Sequence, residues 1–185
     1  MPRGGVALGH VIAKATGAEL DIITPRKLKD PYEPELAIGA VMPGVSAFLN
    51  DDVIAARGVY PQYIEEEMAR EVEEASRRLR AYRGSRPYPE LGGRIVMLVD
   101  DGIATGATMM VAARWARGQG AAKVMVAVPF IPKETIGSIE RECDEVLYIA
   151  APEFFMAIGQ FYAEFLQVTD SEVVDTLKEY WRQKR

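Results

Sequence analysis

Short apolar runs alternate with stretches of helical periodicity along the chain, the order expected of parallel strands joined by crossover helices that cover both faces of a sheet. Four runs predict strands: Leu20 to Thr24, Arg94 to Asp100, Lys123 to Pro129 and Glu145 to Ala150. From Pro61 to Tyr82 the apolar residues Ile64, Met68, Val72, Ala75, Leu79 and Tyr82 recur at steps of three and four, which predicts one long amphipathic helix. Its other face carries Glu66, Arg70, Glu73, Glu74, Arg77 and Arg78 and is expected to be solvated. The pairs Glu73–Arg77 and Glu74–Arg78 are favourably ordered, at roughly 0.2–0.5 kcal/mol each. Further helices are expected from Ala107 to Gly118 or Gly120 and from Lys133 to Glu142. Thr169-Asp170-Ser171-Glu172 has capping-box spacing and opens a C-terminal helix with Val173, Leu177 and Tyr180 or Trp181 on its apolar side. Between positions 25 and 50 a polar, Pro-punctuated stretch precedes the apolar pieces Leu36 to Met42 and Val45 to Leu49. With Pro43-Gly44 between them these read as a hairpin.

Composition narrows the class. The 185 residues, 49% hydrophobic and 26% charged, suit a single globular domain over 1–185, with no internal repeat and no linker long enough to divide it. The net charge of −5 has the wrong sign for general nucleic-acid binding. No apolar run approaches the roughly 20 residues that cross a bilayer, so no membrane span is expected. Cys143 is the single cysteine, which excludes a disulfide within the chain and makes a cytoplasmic location the expectation. With His10 as the one histidine, a zinc site built from Cys and His is ruled out, and any metal chemistry falls to carboxylates and hard cations. His10 and Cys143 are expected to be structural.

The chemistry concentrates between Ile95 and Met110. There a fully apolar strand ends in Asp100-Asp101, a loop of small residues follows (Gly102-Ile103-Ala104-Thr105-Gly106), and a helix starts at Ala107. Carboxylates at the C-terminal end of a buried parallel strand point into the crevice where open sheets bind ligands. Asp100 and Asp101 are suited to accept hydrogen bonds from vicinal hydroxyls or to meet magnesium, directly or through water. Gly102, Ala104, Gly106 and Ala107 let the backbone approach a ligand, Thr105 and Thr108 add hydroxyls, and the amides of a helix N-terminus form an anion site. A sugar phosphate would span both halves of the motif. Asp-Asp-Gly by itself also reads as a plain turn with a threonine cap.

The segment Val96 to Thr108 resembles, without a gap, the phosphoribosyl pyrophosphate (PRPP) motif of the type I phosphoribosyltransferases. Pro2-Arg3-Gly4-Gly5-Val6 is similar to the pyrophosphate loop of that family. Arg26-Lys27-Leu28 with Pro34 to Ala40 resembles its flexible loop and hairpin. Tyr82-Arg83-Gly84, Asp144-Glu145-Val146 and the tail from Pro152 to Gln167 fit a bacterial and archaeal subgroup of loosely defined substrate. The resemblance implies an α/β fold with a central, mainly parallel sheet flanked by helices, a loop and hairpin over 25–50, and a small hood over 151–169. It implies transfer of the phosphoribosyl group from PRPP, with Mg2+, to a nucleobase-like acceptor, and release of pyrophosphate. Asp100 and Asp101 would hold the ribose hydroxyls, with Gly102 in the turn between the two halves of the site. Ala104, Thr105, Gly106, Ala107 and Thr108 would hold the 5'-phosphate, and Arg3, Gly4 and Gly5 would face the pyrophosphate. Arg26 and Lys27, on a mobile loop, would close over it. Phe154 and Phe155, among the aromatics from 154 to 165, are the candidates for stacking on the acceptor. No residue is assigned outright as a metal ligand; magnesium is expected mainly through PRPP. In the family a strand precedes the pyrophosphate loop, whereas only Met1 stands before Pro2 here, so the expectation is a piece of a longer protein with an unpaired sheet edge. A non-catalytic nucleotide-binding regulator of the same fold and a magnesium phosphohydrolase are the rival readings, and a homodimer is the default assembly.

Overall fold

The computed structural model describes residues 1–45 and 47–183. Helix α1 (Gly4–Thr16) opens the chain, followed by strands β1 (Arg26–Lys29), β2 (Ala37–Val41) and β3 (Phe48–Leu49). Helices α2 (Asp51–Arg57) and α3 (Pro61–Arg83) lead to the alternation β4 (Ile95–Val99), α4 (Ala107–Gly118), β5 (Lys123–Phe130), α5 (Lys133–Glu140), β6 (Glu145–Ala150). A 3-10 turn (Ile158–Phe161) and helix α6 (Asp170–Gln183) close the chain.

Two sheets result. In the first, β4, β5 and β6 run parallel in that order, with Ile95 opposite Lys123 and Met125 opposite Glu145. The second is the expected hairpin enlarged by one strand: β1 pairs antiparallel with β2, and β2 with β3. Ser46, within the second predicted piece of that hairpin, lies outside the described residues. Helix α4 sits between the sheets, and its Met109, Val111, Ala112 and Ala116 are almost wholly buried. A helix apolar nearly all round is stable only in such a position.

The parallel strands and the helices α3 to α6 follow the predicted pattern. The C-terminal cap is reciprocal as the box requires: the Thr169 hydroxyl accepts from the Glu172 amide at 3.2 Å and the Glu172 carboxylate accepts from the Thr169 amide at 2.6 Å. Three readings need correction. Leu20–Thr24 forms no strand although Leu20, Ile22 and Ile23 are buried. It faces the free edge of β4 across an apolar groove of about 630 Å³, and without a ladder partner an extended segment is not a strand. The open edge leaves Ile95 exposed. Arg26 and Lys27 lie on β1 rather than on a loop. On α3 the expected charged face is exposed or half-buried, but two acidic residues beside it are not, and one expected ion pair is exchanged. Glu67 and Glu71 are buried, Glu67 accepting from the Lys29 amide at 3.1 Å and Glu71 pairing with Arg26 at 2.6 Å. Glu74, rather than Glu73, takes both Arg77 and Arg78. Among the described residues no helix is long and apolar enough to cross a membrane.

Candidate functional site

Asp100 and Asp101 follow the last residue of β4, so the parallel ladder with β5 fixes where their carboxylates begin. The Asp100 amide is anchored to the Ala127 carbonyl at 3.4 Å, and its carboxylate accepts from the Asp101 amide at 3.1 Å. Ile103 donates to the Phe130 carbonyl at 2.9 Å, which ties the loop after the carboxylates to the end of β5. The Thr135 hydroxyl donates to the Ala104 carbonyl at 3.0 Å and holds the middle of the loop from the α5 side.

Gly106 then opens α4 with φ +82°, a left-handed backbone that favours glycine, and a side chain there would press against Ile139 at 2.8 Å. No side-chain hydrogen bond caps this helix, and by helix geometry its first amides have no internal acceptor. That is a cradle for an anion.

The N-terminal segment closes the other side. Gly4 abuts the Asp101 carboxylate. Gly5 packs so tightly under the strand end that a Cβ would stand 2.6 Å from the Val99 carbonyl and 2.7 Å from the Asp100 Cα. The Met1 amino group donates to the Val99 carbonyl. Arg3, just before α1, reaches Gln167 at 3.4 Å on the segment leaving the hood. The segment at Gly4-Gly5 and the strand end at Asp100-Asp101 thus border one candidate hollow.

Enclosure dominates the electrostatics. Burial pushes the Asp100 carboxyl up to about 7, against the pull of the Met1 ammonium, with the Asp101 charge adding to the rise. Asp101 is also raised, again by burial first. Lys27 lies near enough to favour the charged form of Asp100. Its neighbour Arg26 points the other way, because successive strand residues face opposite sides, and is held by Glu71. Lys27 therefore faces the hollow, and Arg26 does not.

The segment expected to form the hood packs on the loop after β4. The Tyr162 hydroxyl donates to the Asp101 carbonyl at 2.7 Å, and Ile158 fills the space over Gly102. Phe161 stacks on Phe130 at 4.8 Å, with Phe155 tilted against Phe161 at 5.2 Å. Phe154 is turned out to solvent, 87% exposed, and takes no part in the cluster. Sequence reasoning did not reach Phe130, Ile158 or Thr135. Phe130 was within reach of the rule that strand C-termini face the crevice; Ile158 and Thr135 enter through tertiary contacts that no motif marks.

Among the described residues no group of three or more His, Cys, Asp or Glu side chains converges on one point. The donors at the hollow are the two aspartates, hard oxygen ligands that suit magnesium but complete its shell only with ligand oxygens or water.

Comparison with known proteins gives the same direction. The model of the phosphoribosyl transferase domain family matches residues 1–165. Proteins from two Mycobacterium tuberculosis strains, CDC 1551 / Oshkosh and H37Rv, each named "Putative phosphoribosyl transferase", are 41% identical over 174 residues, or 94% of this chain. The match takes in 39% of their length, so the chain spans about two fifths of these relatives. The crystal structure of TT1426 from Thermus thermophilus superposes with a TM-score of 0.78 at 38% identity, covering 97% of this chain and 85% of that one. Strand, double aspartate, glycine-opened helix and family match coincide in one segment, and the chain belongs to the phosphoribosyl transferase domain family.

Proposed function

We propose that this domain binds PRPP with magnesium and transfers its phosphoribosyl group to a nitrogen of a flat, nucleobase-like acceptor. The observation that carries the reading is the packing of Gly4 and Gly5 against Asp100 and Asp101 at the head of α4. It sets the glycine backbone beside both carboxylates, which supports one binding place for all parts of the substrate. The α4 amides and the hydroxyls of Thr105 and Thr108 receive the 5'-phosphate. Asp100 and Asp101 accept the two ribose hydroxyls, and Arg3 with the Gly4-Gly5 backbone meets the diphosphate.

In the reaction the acceptor nitrogen forms its bond to the anomeric carbon while the carbon–oxygen bond to diphosphate breaks. The diphosphate keeps the electron pair, and the proton displaced from the acceptor passes to solvent. The sugar becomes cation-like and the leaving group gains charge, so fixed charge placed beforehand lowers the barrier. The two carboxylates lie beside the cationic ribose, and Arg3 and Lys27 lie on the diphosphate side. Magnesium, when bound, neutralises the diphosphate, held by its oxygens together with an aspartate. The hood aromatics Phe155, Phe161 and Phe130 offer the face on which a flat acceptor stacks, and the Tyr162–Asp101 bond keeps the hood seated and water out. Phe154 has no part in this.

Calorimetric titration of PRPP into the domain, with magnesium and then with EDTA, tests the binding half. Magnesium-dependent binding followed by pyrophosphate release with a panel of bases supports transfer. Binding without release under every acceptor points to a nucleotide-responsive regulator, and no binding overturns the site assignment.

A further inference from the structure

We infer that the domain has a second anion site, for a small molecule carrying two or more linked phosphates, in a cavity of about 920 Å³ between the end of α6 and residues 84–89. The lining residues belong to the N-terminal side of β4, and the aspartates to its C-terminal end. Glu19 and residues 84–89 precede the segments that run up to the hollow, whereas Asp100 and Asp101 follow β4. A five-residue strand spans roughly 17 Å, so one small ligand does not reach both places.

Its charge is opposite to that of the whole chain, whose net is −5. Arg86, Lys178 and Arg182 line it, and the single carboxylate in the lining, Glu19, is shared by Arg86 at 3.7 Å and Arg94 at 3.1 Å. Lys178 and Arg182 stand one turn apart on α6, and neither has an ion-pair partner among the described residues. Arg83 also borders the cavity but is already used, by Asp21 and by the carbonyls of Arg86 and Pro87.

The wall is built rather than loose. The Trp181 indole donates to the Leu20 carbonyl at 2.8 Å, and the Arg86 guanidinium lies over the Trp181 ring, 4.6 Å from its centre. A guanidinium resting over an aromatic ring has its freedom reduced and keeps the donor fork that binds phosphate in bidentate fashion, and the flanking lysine and arginine add point charge. Cations spread over two elements in a cavity of this volume suit linked phosphates, since a single phosphate would leave most of the space and one side of the charge unused.

The experiment titrates inorganic tripolyphosphate into the domain at fixed ionic strength, reading affinity by calorimetry and location by tryptophan fluorescence. Trp181 lines the cavity, whereas Trp115, the other tryptophan, is buried in the core. The expected result is saturable binding with a fluorescence change that persists in the Asp100→Asn/Asp101→Asn variant. In Lys178→Ala/Arg182→Ala, two exposed positions whose change leaves the melting temperature in place, affinity should fall tenfold or more, and the fluorescence change should vanish in Trp181→Phe. Equal affinity in the Lys178/Arg182 variant, loss of all binding in the aspartate variant, or a response that sodium chloride reproduces at the same ionic strength overturns the assignment. This outcome is independent of whether PRPP is the substrate at the aspartates.

Discussion

Replacing Asp100 with asparagine should make the unliganded protein more stable, by an amount that grows from about pH 4 and is complete above about pH 7. The carboxyl is held at about 7 against an ordinary 3.8, a rise of about three units. At 1.36 kcal/mol per unit this amounts to about 4 kcal/mol of folded-state penalty on the ionised form. Because the folded value is the higher one, the favourable contribution of the neutral carboxyl is complete below about pH 4. It is lost as pH rises, fully so once pH exceeds about 7. Asparagine mimics the neutral carboxyl and keeps the acceptor for the Asp101 amide. Wild type and variant should therefore unfold alike near pH 4, and diverge by about 4 kcal/mol at pH 8, or roughly 8–16 °C in melting temperature for a domain of this size. Urea unfolding at pH 4.5, 6, 7 and 8 measures it. A variant that is less stable at pH 8, or whose offset is the same at pH 4.5 and 8, would refute the claim that enclosure of an ionised carboxylate strains this site. The same substitution should weaken PRPP binding, the exchange of stability for function expected where charge is kept buried for a ligand. In wild type, PRPP affinity should rise as pH increases through about 7.

Other perturbations test separate parts of the argument. Gly5→Ala places a methyl against the Val99 carbonyl and the Asp100 backbone, neither able to move freely. It should cost about 1–3 kcal/mol in urea unfolding and depress PRPP affinity, so wild-type values of both would speak against the close packing. Gly106→Val, at a left-handed position against Ile139, should abolish PRPP binding by calorimetry, whereas an unchanged dissociation constant would remove the phosphate cradle from α4. Glu67→Ala removes the buried acceptor of the Lys29 amide and should lower stability by about 1–3 kcal/mol, leaving PRPP affinity as it was; a neutral effect on melting would mean the amide finds another acceptor. Thr169→Ala removes half of the reciprocal cap and should cost about 1 kcal/mol, seen as a drop of a few degrees in melting temperature.

How much was legible in the chain follows from how local each feature is. Periodicity marks α3 because Ile64, Ala75 and Tyr82 face one way whatever they meet, and the Asp100-to-Thr108 run declares its chemistry because strand end, loop and helix start are consecutive. The reading of Leu20–Thr24 failed for the opposite reason. A strand is a relation to a neighbour, and the described residues offer it a groove beside β4 instead of a ladder. Glu67 and Glu71 went unmarked because charge patterning cannot tell that β1 lies across that side of α3, bringing the Lys29 amide and Arg26 to meet them. Arg26 and Lys27 are adjacent and alike in charge, yet strand alternation sends one to Glu71 and the other toward Asp100. Phe130 and Phe161 are distant in sequence and stack only because the hood folds back over the end of β5. The sequence alone thus determined most element types, the parallel alternation and the strand–loop–helix run from Asp100 to Thr108, all set by neighbours within a few positions. The tertiary structure decided which charges are buried, that Lys27 rather than Arg26 lies toward Asp100, which aromatics cluster beside β5, and how far Asp100 is pushed from its ordinary ionisation, because burial and Coulomb interactions depend on distances that chain order does not encode.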